Sequence, residues 1–431
     1  MKKVLALILA LVMALSLVAC GKEKDPTEDW GPEPEGTIEV TIWTFFGETV
    51  KNQYQEIIDA FNASQTKYHV TCEAQGSQAE MNAKIASTDQ SELPAMFHGA
   101  VENVAMYANE DYCVPLQEFI DLEKKGTWKE LDDTWKAIRT AYQDKDGKQI
   151  GYPQGYSYPG IYYNKDMFRE AGLDAENPPA TMEELYAAWD KLIQKDGNGN
   201  VTQYAQAIGV KSTVAMMPVF MWAYGADYIK DGKSVLDSDE ATAAMTMIAD
   251  AYAKGVSPVG LTGQEADDLF AAGKAAIEFN GQWAAPGFRA AGIDLGIAEV
   301  PAGMDGRDRK TWGGDSIMCM SADSKVKEAA WDFMEYWNGK EAQKTWALNV
   351  GFIPSRLDMA DDEEILTGNP DLAIFMKAST YAQMFMADQP MSGRIDEEVL
   401  VPLYESVSRG TAAPADALKK ASKALDAILA E

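Results

Sequence analysis

The stretch TIEVTIWTFF, residues 37–46, decides the fold class of this chain. Its apolar side chains alternate with polar ones, so that Ile38, Val40 and Ile42 share one face, as is typical of a β-strand. A segment with helical spacing of apolar residues follows, and residues 68–72 then alternate again. This strand–helix–strand order predicts two parallel strands joined by a right-handed crossover.

The pattern continues with a predicted helix at 80–86 and a short strand at 95–98. The sequence therefore predicts an α/β fold with a largely parallel sheet. In such sheets ligands bind beyond the carboxyl ends of the strands. The segments at those ends are 43–48, 74–77 and 98–102, which carry aromatic, carboxylate, amide and histidine side chains.

The N-terminus has the features of an export signal. Two lysines precede an uncharged apolar run at 4–18, which is shorter than the roughly 20 residues that span a bilayer. Residues 1–19 are therefore predicted to be a cleaved signal peptide. The run ends in LVACG (17–21), which resembles the lipobox of bacterial lipoproteins and implies that Cys20 is acylated and anchors the chain to a membrane. The alternative is an ordinary signal peptide with a chance cysteine.

Residues 20–36 form the predicted lipid anchor and a tether. The tether is rich in glycine, proline and charged residues and has no hydrophobic period, which indicates a solvated, flexible segment. The folded part is predicted to begin near Thr37. Residues 37–431 are too many for one core and favour two domains.

The charge and cysteine content narrow the possible partners and covalent links. The chain has 67 Asp and Glu against 38 Lys and Arg, a formal net charge of −29. Nucleic-acid binding needs clustered basic residues, so we expect no nucleic-acid partner. Beyond Cys20 the cysteines are Cys72, Cys113 and Cys319, an odd number at wide spacing. We predict buried single thiols, and whether one pair is oxidised stays open.

Motifs for metal or cofactor chemistry are absent from the sequence. There is no zinc motif, nucleophile elbow or complete phosphate loop. Residues 196–200 (DGNGN) resemble the start of a calcium loop, but Val201 stands where glycine is needed and Ala207 where glutamate is needed. A hairpin turn is predicted there, and no cofactor or metal is expected. Of the two histidines, His69 falls within a strand and is predicted to be structural.

Five segments, taken in order, carry a family resemblance. They are GYSYPGIYYNKDMFREAGL (155–173), FAAGKAAIEFNGQWAAPGF (270–288), GGDSIMCMSADSKVKEAAWDFMEYW (313–337), VGFIPSR (350–356) and VSRGTAAPADALKKASKALDAIL (407–429). Together they resemble the bacterial extracellular solute-binding proteins of the carbohydrate type, maltose-binding-protein-like receptors of ABC importers.

The resemblance implies a periplasmic-binding-protein-like fold with two α/β lobes, a multi-segment hinge and a ligand cleft between the lobes. The hinge crossings are expected at 151–158, 312–315 and 350–354. The N-terminal lobe is then 37–153 plus 314–350, and the C-terminal lobe is 154–313 plus 351–431.

The resemblance also implies ligand contacts. Trp283, in NGQWAAPGF (280–288), is expected to project into the cleft and stack on a sugar ring, whose apolar faces suit aromatic side chains. Residues 216–222 are apolar where family members often bring acidic or aromatic residues, so the second lobe's contacts stay open. The further aromatic candidates are Trp43, Trp222, Trp312 and Tyr156, and the polar candidates are Glu48, Gln75, His98, Asp315 and Arg356.

The predicted function is non-catalytic capture of a sugar or oligosaccharide by hinge closure and its delivery to an ABC permease. A monomer is expected, anchored through Cys20 on the extracellular face of the cytoplasmic membrane of a Gram-positive cell. One alternative keeps the fold and binds a small polar solute such as a glycerophosphate compound. A secreted glycoside hydrolase would need two carboxylates facing a sugar site, and a surface adhesin would need no closing cleft.

Overall fold

Two five-stranded sheets organise the computed structural model. It describes residues 36–122, 142–211, 216–321 and 326–431, apart from 145, 315, 360, 379, 384, 387, 388 and 390. The predicted signal, anchor and tether, including Cys20, therefore lie outside the described residues. Within the described ranges, none of the helices combines the length and the apolarity that crossing a membrane requires.

The strands follow the chain as β1 (Ile38–Thr44), β2 (Tyr68–Ala74), β3 (Met96–Ala100), β4 (Gly151–Pro153), β5 (Gly160–Asn164), β6 (Gln194–Lys195), β7 (Val201–Ala207), β8 (Ile229–Lys230), β9 (Lys233–Ser234), β10 (Ala275–Asn280), β11 (Leu295–Glu299), β12 (Thr311–Trp312), β13 (Ser316–Met320) and β14 (Ala382–Gln383).

The helices are α1 (Glu48–Ser64), α2 (Gln78–Ser87), α3 (Val104–Asn109), α4 (Gln117–Leu122), α5 (Lys165–Glu170), α6 (Met182–Leu192), α7 (Met217–Ala223), α8 (Asp239–Lys254), α9 (Gly263–Ala271), α10 (Ala285–Ala290), α11 (Lys327–Trp337), α12 (Lys340–Asn349), α13 (Glu363–Gly368), α14 (Leu372–Ala378), α15 (Ser392–Ile395), α16 (Val401–Ser408) and α17 (Pro414–Leu429). A π-helical turn, Asp396–Leu400, joins α15 to α16.

The first sheet has the order β2-β1-β3-β13-β4. Strand β1 pairs with β2 in parallel along its whole length, from Ile38 opposite Tyr68 to Thr44 opposite Ala74, and it also pairs in parallel with β3. The parallel pair predicted from residues 37–72 is therefore confirmed. Strand β13, which begins more than 200 residues after β3 in the chain, pairs antiparallel with both β3 and β4.

The second sheet has the order β11-β5-β10-β7-β6. Strand β10 is parallel to β7 and antiparallel to β5, so this sheet is mixed. Strands β6 and β7 form the predicted hairpin. In its turn, Oδ1 of Asp196 accepts the backbone N–H groups of Asn198 at 2.9 Å and Asn200 at 2.8 Å, so this carboxylate holds the turn.

Three distant segments meet between the sheets. The N–H of Tyr156 donates to the carbonyl of Ile353 at 2.7 Å, and the N–H of Ile353 returns a bond of 2.9 Å. The N–H of Ser157 donates to the carbonyl of Gly314 at 2.8 Å. These are the three segments expected to form the hinge. The strands of the two sheets fall on either side of the expected lobe boundaries, although the boundaries themselves stay a prediction.

Each sheet packs against helices through its own hydrophobic core. In the first lobe, α1, α11 and α12 cover the sheet with an aromatic cluster in which Trp337 lies 4.8 Å from Tyr54 and 5.1 Å from Trp346, between ring centroids. These tryptophans are buried and pack against protein, as the helical spacing of α11 predicts. In the second lobe, α6, α7, α8, α16 and α17 enclose the larger core.

The cysteines partly follow the prediction of buried single thiols. Cys113 and Cys319 are buried, whereas Cys72 is only half-buried on β2, and the three are unbridged. Burial still raises the pKa of the Cys72 thiol to about 12, so it is not a reactive thiolate at neutral pH.

Candidate ligand-binding cleft

A cavity of about 430 Å³ lies between the two sheets. The cavity is lined by residues 45–47 after β1, 100–101 at the end of β3, 206–209 at the end of β7 and 278–280 at the end of β10. All three hinge segments also contribute to the lining. This is the edge at which an open α/β sheet binds ligands, and the volume suits a small molecule.

One part of the lining is aromatic. We call Phe45, Phe46, Trp283 and Phe352 the aromatic wall. Phe45 and Phe46 follow β1 with their ring centroids 5.3 Å apart, and Trp283 stacks on Phe352 at 6.1 Å and 26° between planes. Because these rings support one another, their faces are held in place before a ligand arrives.

A buried glutamine fixes the turn that carries Trp283. Gln282 begins the short 3₁₀ turn Gln282–Ala284. Its Oε1 accepts the N–H of Tyr158 at 3.1 Å, and its Nε2 donates to the carbonyl of Tyr156 at 3.1 Å. The turn is thereby tied to the first hinge segment, and the indole of Trp283 stays half-buried at the cavity.

The second lobe contributes two carboxyl groups to the lining. We call Asp267, on α9, and Glu278, on β10, the acid pair. Nδ2 of Asn280 donates to Oδ1 of Asp267 at 2.8 Å and to Oε1 of Glu278 at 3.2 Å, which holds the two side chains together. Glu278 is 3% exposed, and its Oε2 receives no hydrogen bond from any donor in the described part of the chain.

Burial changes the protonation of this pair. Removal from water raises the pKa of Glu278 well above its usual range, and the neighbouring Asp267, within hydrogen-bonding reach, raises it further. Burial also raises the pKa of Asp267, while hydrogen bonds from Glu278 and Asn280 oppose that rise. Both carboxyls are therefore shifted towards the protonated form in the ligand-free cleft, and the two titrate as a coupled pair.

The remaining polar lining is uncharged. Among its described members are Gln78, Ser157, Gln206, Gln264 and Ser316. No lysine, arginine or histidine occurs among the described residues that line the cavity. The site thus combines aromatic faces, neutral hydrogen-bonding groups and two carboxyls, and its described lining has no cationic side chain to receive a phosphate. Among the described residues there is no cluster of metal ligands.

The sequence profile of the bacterial extracellular solute-binding proteins matches residues 56–373. The chain belongs to this family.

Two relatives and one solved structure show how far the similarity reaches. The sn-glycerol-3-phosphate-binding periplasmic protein of Rhizobium meliloti is 26% identical over 343 residues, which cover 77% of this chain and 78% of the relative. The galactooligosaccharide-binding protein of Bacillus subtilis is 22% identical over 437 residues, which cover 98% and 96%. An ABC transporter solute-binding protein of Thermotoga lettingae, bound with α-D-tagatose, has a TM-score of 0.79 at 21% identity, covering 92% of this chain and 100% of that one. The predicted two-lobed fold is thereby confirmed.

Two of the residues predicted to bind ligand line the cleft of this solute-binding protein. Trp283 belongs to the aromatic wall, and Trp312 lies on the second hinge segment. The indole N–H of Trp312 is buried and meets no acceptor among the described residues. The side chain of Glu48, the whole of Asp315 and the lipidation candidate Cys20 lie outside the described residues.

Trp43 and Gln75 lie at the predicted strand ends but outside the cavity. Trp43 is 8% exposed in the first lobe, because the pleat of β1 turns it to the sheet face opposite Ile42. The ammonium of Lys84 covers its ring at 4.1 Å. Gln75 accepts a hydrogen bond from the same Lys84, so both candidates are occupied within the protein.

His98 is buried behind the aromatic wall. Its Nδ1 lies 2.7 Å from Oγ1 of Thr44, and its Nε2 lies 3.0 Å from Nε2 of Gln154. Its ring packs 4.5 Å from Phe46, between centroids. Burial lowers the pKa of His98 to about 3, so the ring is neutral and supports Phe46 from behind.

The other three candidates also lie away from the cavity. Tyr156 is fully buried within the hinge, and Trp222, on α7, is 3% exposed in the second lobe. Arg356 is 5% exposed because its Nε and Nη2 bind Asp358 at 2.9 and 3.0 Å. A charged side chain satisfied in this way supports the third hinge segment.

Sequence reasoning missed the acid pair, Asn280 and the phenylalanines of the aromatic wall. Residues 43–48 were expected at the cleft as a segment, but Phe45 and Phe46 were not singled out. One signal could have revealed Glu278. It is a lone charge in the otherwise uncharged strand AAIEFN, and acidic residues are seldom fully buried without a partner or a function.

Proposed function

We propose that this solute-binding protein captures a sugar or oligosaccharide in its cleft by closure of the lobes about the hinge and delivers it to an ABC permease. The observation that carries the proposal is that aromatic and hydrogen-bonding groups line one cavity at the hinge. A sugar ring has apolar C–H faces and a rim of hydroxyls, so it needs both kinds of group. The relatives named for galactooligosaccharide binding and bound with tagatose support this ligand class.

A glycerophosphate ligand is the second candidate, because one relative is named for binding sn-glycerol 3-phosphate. A buried phosphate needs cationic or numerous N–H donors. The described lining of this cavity has no basic side chain, and it holds the acid pair. Both features weigh against an anionic ligand and favour a neutral or cationic one.

Hydrolysis of the bound sugar is not part of the proposal. Glycosidases hold their two catalytic carboxyls about 5–9.5 Å apart, on either side of the scissile bond. Asp267 and Glu278 are instead joined through Asn280 and lie within hydrogen-bonding reach of each other. This adjacency suits binding and leaves no room for a glycosidic bond between the two groups.

Anchoring completes the proposed role. Acylation of Cys20 would hold a monomer at the extracellular face of the cytoplasmic membrane, beside its permease. The motif LVACG (17–21) supports this placement, as does membership of an extracellular family. A receptor tethered in this way fits a Gram-positive cell, which has no periplasm to retain it.

A thermal-shift screen tests the proposal. The chain from Thr37 is melted with a panel of neutral and amino oligosaccharides and of glycerophosphodiesters. A ligand that binds only the folded chain stabilises it by about 2.7 kcal/mol at 100 times its dissociation constant. We expect a shift with one sugar class and no cleavage on long incubation. A shift with phosphodiesters alone, or release of sugar fragments, would contradict the proposal.

The aromatic wall provides the matched variants. Trp283→Ala should weaken sugar binding by roughly tenfold to a hundredfold, because it removes a stacking face. Tyr336→Ala is the control, since Tyr336 is also a half-buried aromatic residue, packs on Phe61 at 5.1 Å and lies outside the cavity. Equal affinities of the two variants would show that the sugar does not use Trp283.

A further inference from the structure

Recognition of neutral sugars leaves the acid pair unexplained. A hydroxyl rim can be bound by amides and single carboxylates, and this cleft already offers glutamines, serines and the indole N–H of Trp312. Asp267 and Glu278 add two carboxyls at one place, in a lining whose described residues provide no positive charge. One oxygen, Oε2 of Glu278, is buried without a donor. Such an arrangement is costly unless something compensates it.

Three partners could compensate the charge of the pair. In the empty cleft, a bound proton lowers the negative charge of the pair by converting one carboxylate to a neutral carboxylic acid. A sugar hydroxyl donates one hydrogen bond and leaves the net charge buried. A ligand ammonium group donates up to three hydrogen bonds and also neutralises the charge, and such charge-assisted bonds are roughly twice as strong as neutral ones.

The aromatic wall also favours a cation. An ammonium group is attracted to aromatic ring faces, and the C–H face of the sugar ring that carries it still stacks on the same rings. Trp283, Phe45 and Phe46 line the same cavity as the acid pair. One cavity therefore holds both elements that recognise organic cations, namely carboxylates and aromatic faces.

We propose that the cleft selects a saccharide that bears a protonated amino group, with Asp267 and Glu278 receiving the ammonium and the aromatic wall receiving the ring. This inference rests on the proposed function and narrows its ligand class to amino saccharides. Asn280 acts as the positioning residue, because its Nδ2 binds one oxygen of each carboxyl and so holds the two side chains together at the wall of the cavity.

Matched β1,4-linked disaccharides test the ligand class by isothermal titration calorimetry. The probes are the disaccharide of glucosamine, its N,N′-diacetyl form and cellobiose, which differ in the substituent at C2. The series is repeated with amino and neutral members of α-linked disaccharides. We expect the amino member of at least one series to bind about tenfold more tightly than its neutral partner. If no amino saccharide binds more tightly than its neutral partner, or if none binds, the inference is overturned.

Isosteric variants test the residues. Asp267→Asn and Glu278→Gln should each reduce the preference for the amino member from about tenfold to within about twofold, because each replaces a carboxylate that receives the ammonium with a neutral amide of the same shape. Asp268→Asn is the matched control, because this neighbouring carboxyl on α9 is exposed and does not line the cavity. An unchanged preference in all three variants would overturn the inference.

Proton release separates this inference from its alternatives. When the ammonium enters, it displaces the proton that the pair holds, so the heat of binding should vary with the ionisation enthalpy of the buffer. Binding should also tighten as pH rises from about 5 to 7, because protons then compete less for the carboxyls. A neutral saccharide that binds with no amino preference would overturn the inference and leave the proposed function intact. If no saccharide of either kind binds, the proposed function fails as well.

Discussion

His98 in the first lobe and Glu278 in the second are both buried titratable side chains on strands that end at the cleft, yet their surroundings differ. Both ring nitrogens of His98 face polar side chains of the protein, and the ring lies behind Phe46. Glu278 lines the cavity and keeps one oxygen without a donor. The first lobe satisfies its polar group internally and holds an apolar wall, whereas the second lobe keeps a carboxyl oxygen at its cavity without a donor among the described residues.

This comparison predicts opposite effects of pH on stability. Burial holds the pKa of His98 at about 3, below its unfolded value, so the stability it provides is present above about pH 6.5 and is lost as the pH falls. Burial raises the pKa of Glu278, so its contribution is present below its unfolded pKa and is lost as the pH rises through the folded value. His98 thus lowers the stability of the first lobe in acid, whereas Glu278 lowers the stability of the second lobe in alkali.

The largest expected effect is the loss of His98. His98→Ala should lower the free energy of unfolding by about 3 kcal/mol, because it opens a cavity behind Phe46 and leaves Thr44 and Gln154 without their partner. Chemical denaturation measures this change. His69→Ala is the control, since His69 is exposed and pairs with Glu39 at the surface, and it should cost less than about 0.5 kcal/mol. A similar loss of free energy of unfolding in the two variants would show that His98 does not support the aromatic wall.

The dependence of stability on pH below 6.5 tests the role of His98 in the first lobe. Between about pH 6.5 and 5, His98 binds a proton in the unfolded chain but stays neutral in the folded chain. This difference lowers the free energy of unfolding by up to about 2 kcal/mol. His98→Asn has no titrating ring, so its stability should decline less steeply over this interval. Urea denaturation at several pH values gives the two slopes, and parallel slopes would contradict the assignment.

The smallest expected effect concerns Glu278. Glu278→Gln should flatten the loss of stability as the pH rises above the ordinary range of a glutamate, and it should leave the ligand-free protein as stable as the wild type or up to about 1 kcal/mol more stable at the upper end. The reason is that an amide need not ionise in the cavity. The same measurement on Asp268→Asn, an exposed neighbour, should follow the wild type. A steeper decline for Glu278→Gln would show that the carboxylate stabilises the fold.

The sequence predicts the architecture well because the architecture depends on local patterns. Alternation in residues 37–46 and 68–72 predicts the β1–β2 pair, and DGNGN at 196–200 predicts the β6–β7 turn. The position of Trp283 at the cleft follows from a family motif, although the turn that carries it is held by hydrogen bonds between Gln282 and the first hinge segment, more than 120 positions away. Pairings such as β3 with β13 join residues more than 200 positions apart, and no local pattern predicts them.

The site is harder to predict, because the burial of a side chain and the partners of its hydrogen-bonding groups are properties of the folded chain. His98 and Arg356 carry the side chains expected at a sugar site, but Thr44, Gln154 and Asp358 occupy them. Those partners come from other segments or from the turn of a loop. Conversely, Glu278 and Asp267 are two among 67 acidic residues, and only the fold brings them to one cavity beside Asn280.

The most direct test of the central claim is a crystal structure of the chain with the saccharide that most raises its melting temperature. We expect the sugar between the two lobes, with a ring face on Trp283 and its polar groups on the second-lobe lining that includes Asp267 and Glu278. A saccharide bound outside this cavity, or within it but away from Trp283, would contradict the account.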